Sequence, residues 1–142
     1  MSEKKMIYYT VKDTQEKIKA LIHTIDLHFS QKEKISIIAA NEKAIDFVSQ
    51  LLWSFPKESM RPHCVKGPCS SMDSIILSLA GAIQESTPFV FNLTQEALEL
   101  SSSMKVLYEL EDLSSPEKAI SFQNKFHCYR KAGVPISAGT LI

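Results

Sequence analysis

The chain has 142 residues, 44% of them hydrophobic and 23% charged, and its sixteen basic side chains balance sixteen acidic ones. That suits one globular domain with a sizeable core. It argues against broad, non-specific nucleic-acid binding, which needs a basic footprint, and no run approaches the roughly 20 apolar residues of a membrane span.

Residues 6–11, MIYYTV, are β-branched and aromatic and predict a buried strand. Asp13 opens a helix, with Glu16 three residues on in capping-box spacing. Ile18, Leu21, Ile22, Ile25 and Phe29 form its apolar face. His23 and His28 lie five apart on it and read as solvated or capping groups. ISIIAA (35–40) is a second strand, and Asn41 is a natural N-cap for the next helix. That helix buries Ala44, Ile45, Val48, Leu51 and Leu52, and Pro56 ends it because proline lacks an amide hydrogen.

Residues 54–73 are the least regular part, holding three of the six prolines with Gly67, Cys64 and Cys69. IILSLA (75–80) predicts a third strand, although a short apolar helix has a similar pattern, and FVFNL (89–93) predicts a fourth. The short connection between them also allows an antiparallel pair. Thr94 is placed to cap a short helix through Leu100, and KVLYELED (105–112) is the last strand. The final helix begins at Ser114 or Ser115, with Pro116 and Glu117 in its first turn, and closes at Gly133. VPISAGTLI is an extended tail.

Strands alternating with helices predict an α/β fold: a single three-layer domain over residues 1–142, with a mostly parallel five-stranded sheet and helices on both faces. Such sheets often bind nucleotides at the strand carboxyl ends, where glycines let phosphates approach backbone amides. None of the four glycines (Gly67, Gly81, Gly133 and Gly139) lies in a strand-to-helix turn, so the expected fold is nucleotide-binding-like without a phosphate loop. Thr10 and Val11 stand where a phosphoacceptor receiver domain wants an acidic pair. His63, Cys64 and Cys69 have loose spacing and no second ligand pair, so no metal or other cofactor is expected. His127 and Cys128, adjacent on a helix, point about 100° apart, which disfavours Cys–His catalysis. Three cysteines and no apolar run behind MSEKKM read as reduced thiols in a cytoplasmic protein.

Two segments together resemble the chi subunit family of bacterial DNA polymerase III. The first is Leu52-Trp53 followed by Ser59-Met60-Arg61-Pro62-His63, similar to a family pattern of Leu-Trp, a short turn, then Ser-aromatic-x-Pro-His. The second is Phe126, Tyr129-Arg130 and Gly133, similar to aromatic, two residues, Tyr-Arg, two residues, Gly. Between them, Val90-Phe91-Asn92-Leu93 is similar to the family's apolar strand ending in Asn-Leu. The element order and length match over nearly the whole chain.

The resemblance implies a non-catalytic accessory subunit of the polymerase III holoenzyme. One surface would bind the psi subunit or another clamp-loader subunit. Another would bind the acidic, Phe-terminated tail of single-stranded-DNA-binding protein, so that any DNA contact is indirect. It implies Met60, Arg61 and Trp53 on the clamp-loader side, with Met60 at the family's aromatic position and Trp53 as half-buried support. On the tail side it implies Gln123, Phe126, Lys118 and Arg130, with Lys125 and Lys131 as further cations. The family's basic positions fall here on Gln123 and Ala119, a departure from the pattern. Phe122, Phe126 and Tyr129 form one helical stripe, which reads as core packing or, for Phe126, as a pocket wall. The alternative from another class is a small nucleotide-fold enzyme or nucleotide binder using the crevice at the strand ends.

Overall fold

Strand β1 (Lys5–Val11) hands the chain to helix α1 (Thr14–Ser30) across Lys12 and Asp13, and both of these take part in the helix start. In a computed structural model, which describes residues 4–31, 33–54, 64–65, 75–79, 87–97 and 104–139, Asp13 Oδ1 accepts the Glu16 amide at 2.9 Å. Glu16 reaches back to the Lys12 amide at 2.7 Å, close to the capping box anticipated from the spacing. Asn41 caps α2 (Glu42–Ser54) through the Ala44 amide at 2.9 Å. Ser115 caps α3 (Pro116–Lys131) through the Lys118 amide. At the other end of α3, Gly133 takes φ 82°, the left-handed conformation glycine tolerates best. Its amide donates to Arg130 O and that of Val134 to Tyr129 O, the bond pair of a Schellman close.

The other strands are β2 (Ile35–Ala39), β3 (Cys64–Val65), β4 (Ile75–Leu79), β5 (Phe89–Asn92), β6 (Val106–Asp112) and β7 (Ile136–Ala138). They form one sheet in the order β3-β4-β2-β5-β6-β1-β7, and every neighbouring pair is parallel. The expected α/β class and central strands stand, but among the described residues the sheet has seven strands rather than five. The two additions are its outermost members, β3 and β7, with two and three residues. Strands so short have no periodicity to read, and each exists because its neighbour offers an edge. The antiparallel option for the third and fourth predicted strands fails, since β4 and β5 flank β2 and each runs parallel to it.

A second correction concerns Thr94. Residues 94–96 are bends, and the Thr94 hydroxyl bonds Asn92 Oδ1 at 2.7 Å instead of opening a helix. The rest of the segment expected to be helical, residues 98–100, lies outside the described residues.

Period-two alternation divides the strands between two cores. On one face α1 and α2 bury Leu21, Ile25, Ile45 and Val48 against Ile37, Leu77, Phe91 and Tyr108. On the other, α3 lays Phe122 and Tyr129 over Met6, Ile38, Val90 and Leu107. His28 is buried, not solvated: its rings of contacts are Tyr108 Oη at 2.7 Å, Glu33 Oε1 at 2.9 Å and the Phe89 ring, stacked at 4.0 Å. It sits seven residues after Leu21 and three after Ile25, which puts it on the same helix face as the core. Where the tail follows β7, a Cβ on Gly139 would collide with the Tyr9 ring, so glycine permits this close approach. Among the described residues no helix is long and apolar enough to cross a membrane, and no group of three metal-ligating side chains occurs.

Candidate functional site

The crevice at the strand carboxyl ends is the natural ligand position in such a sheet. β1 and β6 are neighbours, and the helices that follow them pack on opposite faces, which makes this a topological switch point. A cleft lies beside it, lined by Lys17, Asn92, Thr94, Asp112 and Lys118 among others. These groups engage one another. Lys118 Nζ stands 3.6 Å from Asp112, whose Oδ1 also accepts the Ser114 amide and hydroxyl. Burial pushes the Asp112 carboxyl up, but the Ser114 bonds, Lys118 and Lys17 together hold it below its ordinary value. Burial, then Lys118, pulls the Lys17 ammonium down. Glu16 and Lys118 amides that could face an anion at the two helix starts are taken by Asp13 and Ser115. Among the described residues these crevice side chains engage one another, and the β1–α1 and β2–α2 turns hold no glycine.

The carboxyl half of α3 is different. Gln123 and Arg130 are exposed, and their spacing of seven leaves them within about 20° of one another around the axis. Phe126 lies between them, half-buried, its ring 6.4 Å from that of Tyr8 and 6.0 Å from that of Phe122. Phe122 and Tyr129 are core, as their stripe suggested. Lys118 is not brought to this group. It precedes Phe126 by eight residues, about 12 Å along the helix, and faces the crevice instead.

Lys125 is removed from any partner-binding role by burial. Its ammonium bonds Glu109 Oε1 at 2.7 Å and Thr94 O at 3.0 Å. Glu109, fully buried on β6, also accepts from Tyr129 Oη at 2.6 Å and Asn92 Nδ2 at 2.8 Å. Burial pushes its carboxyl up, against the opposing pull of Lys125, Tyr129 and Asn92. Sequence reasoning missed this network, although two signals were present. Glu109 is in phase with Leu107 on the inner face of its strand, and Lys125 falls within the Phe122–Phe126–Tyr129 stripe.

Residues 118–142 contain Lys118, Lys125, Arg130 and Lys131 and no acidic residue. Glu109 and Asp112 engage the first two. Arg130 and Lys131 are exposed and have no carboxylate partner among the described residues. This end of α3 thus presents a half-buried aromatic beside two exposed cations.

On the other predicted surface, Trp53 belongs to the last turn of α2, while Met60 and Arg61 lie outside the described residues. Arg61 precedes edge strand β3 by three residues. β3 and β7 are the opposite ends of the sheet, separated by six inter-strand gaps, about 29 Å at the usual spacing.

Residues 4–137 match the sequence model of the family described as DNA polymerase III chi subunit, HolC. No curated protein matches the chain.

Proposed function

Because the chain belongs to the DNA polymerase III chi subunit family, an accessory component of replication, we propose that it is a non-catalytic, cytoplasmic adaptor with two docking surfaces. One, around Met60, Arg61 and Trp53, receives psi or another clamp-loader subunit. The other, made by Gln123, Phe126 and Arg130, receives the acidic tail of single-stranded-DNA-binding protein. DNA is contacted through that partner and not directly.

The observation that carries the reading is the acid-free end of α3. A tail that ends in an acidic residue, an aromatic ring and a free carboxylate needs an apolar contact and exposed cations. Phe126 offers the first, and Arg130 with Lys131 the second. Gln123, at a basic position of the family pattern, contributes an amide and no charge. Arg130 then takes a larger share of the carboxylate binding.

The expected affinity for a labelled tail peptide is micromolar, about −8 kcal/mol, and it weakens as salt rises. Arg130→Glu replaces a carboxylate partner with a repelling charge at an exposed site. It is expected to weaken binding at least about tenfold, or ~1.4 kcal/mol, with thermal stability unchanged. Fluorescence anisotropy measures the first and a melting curve the second. Saturable binding that ignores the substitution would overturn this assignment.

The clamp-loader surface has its own test. Met60→Asp is expected to abolish co-purification with clamp-loader subunits while tail binding and melting temperature persist. A charge at the centre of an apolar contact costs several kcal/mol when desolvated. Retained co-purification would remove Met60 from the interface.

A further inference from the structure

The outer edge of β7 is an open hydrogen-bonding template. β7 is the last strand of the sheet, and among the described residues nothing pairs with its outer side. On its inner side, the Met6 amide donates to Pro135 O at 2.9 Å and the Gly139 amide to Tyr8 O at 2.7 Å. Alternate residues of a strand turn their backbone groups to the same neighbour. Residues 135, 137 and 139 therefore face β1, and Ile136 and Ala138 turn their N–H and C=O groups outward.

The side chains follow the same parity. Ile136 and Ala138 are in register with Met6 and Tyr8, on the sheet face that α3 covers. Ala138 projects only a methyl group beside Tyr8, and the Tyr8 ring meets Phe126 edge-on. A strand laid along β7 would place every second side chain on this face, with room beside Ala138 and an aromatic wall behind. Arg130 and Lys131 lie just before the turn that leads into Ile136, so two exposed cations stand at the amino end of β7.

We propose that this edge binds an extended acidic peptide by strand addition, its main chain pairing with Ile136 and Ala138 antiparallel to β7. That direction brings the peptide's terminal carboxylate toward Arg130 and Lys131 and its last aromatic side chain toward Phe126. The complementarity is electrostatic as well as geometric, because residues 118–142 carry four basic side chains and no acidic one. Main-chain bonds supply affinity and the Phe126 wall supplies selectivity. The inference rests on the tail-binding reading and adds how the tail is held.

Two probes test it by fluorescence anisotropy with the full chain. The first is the acidic tail peptide N-methylated at one backbone position at a time, which removes a single donor and leaves its side chains in place. Affinity is expected to fall at least about tenfold at alternate positions and to persist at those between them. The second is Ala138→Pro. The Ala138 amide is not used by β1, and proline is tolerated where a strand edge faces solvent, so this variant removes an outward donor from a folded chain. It is expected to weaken the unmodified peptide by a similar factor. If Ala138→Pro fails to fold, the methylation scan on the unaltered chain decides. Binding that tolerates methylation at every position would overturn strand addition and leave the tail reading intact. No saturable binding of the unmodified peptide at low salt would overturn both.

Discussion

Lys125→Met is expected to lower the unfolding free energy by about 3–5 kcal/mol, the cost of removing one partner from a buried ion pair. Methionine keeps most of the volume, so the loss is electrostatic and not a cavity effect. Glu109 is fully buried and would keep only the Tyr129 hydroxyl and the Asn92 amide, while Thr94 O would lose its donor. The effect has a pH signature. Burial already raises the Glu109 pKa, and Lys125 is the largest influence opposing it. Without Lys125 the carboxyl climbs further and the folded state retains its proton. The unfolded chain releases that proton above the ordinary value of 4.5. Between the unfolded and folded pKa values the native state binds more protons, so its stability falls as pH rises. The deficit against the parent chain should be smallest below the ordinary carboxyl value and grow toward neutrality. Urea denaturation across that range measures it. A deficit that is flat with pH, or that grows on acidification, would show that Glu109 is not the group left uncompensated. Adding Glu109→Gln to Lys125→Met should restore part of the stability, because no buried charge then remains.

Phe122→Ala should cost a similar amount, about 3–5 kcal/mol, but by another mechanism. The ring is 2% exposed and lies between the helix and the sheet. Its centroid is 5.3 Å from that of Tyr8 and 6.0 Å from that of Phe126. Truncation opens a cavity and loses two aromatic contacts, each worth about 0.5–1.5 kcal/mol beyond the area buried. It also removes the support behind Phe126, so tail binding should weaken even where the variant is folded. Phe126→Ala gives the comparison. Its ring is only half-buried, so its stability cost should be smaller while its effect on binding is at least as large. Chemical denaturation and peptide titration on both variants separate the two roles. If Phe126→Ala costs as much stability as Phe122→Ala and leaves binding unchanged, Phe126 is core and the proposed pocket is misplaced.

Both predictions concern groups that a linear reading treats unevenly. Phe122 and Tyr129 were legible as core because apolar residues at spacings of four, three and seven mark one helix face. Lys125 stands in that same stripe, yet a charged side chain there reads as solvated until a buried partner is known. Glu109 lies 16 residues away on β6, and no local rule links the two. His28 posed the same difficulty. Its phase with Leu21 and Ile25 was visible, but the Tyr108 hydroxyl that satisfies its ring comes from 80 residues further along the chain.

The candidate site divided in the same way. Gln123, Phe126 and Arg130 share a face by helical period alone, and the structure keeps them together. Lys118 was grouped with them through its position on the helix. Its proximity to Asp112, set by where β6 ends, takes it to the crevice instead. Met60 and Arg61 remain assigned through the family pattern and lie outside the described residues.

Local chemistry was therefore sufficient for the parts of this protein that depend on neighbours in sequence. Asp13, Asn41 and Ser115 start the helices because a side-chain oxygen can reach an amide three residues on, and Gly133 accepts the positive φ that closes the last one. The apolar periods determined the central strands and the helix faces. Only the tertiary structure decided the strand order, the two short edge strands and the Glu109–Lys125 pair. Each of these joins residues distant in sequence, and its energy depends on burial and pairing that exist only after the sheet has assembled.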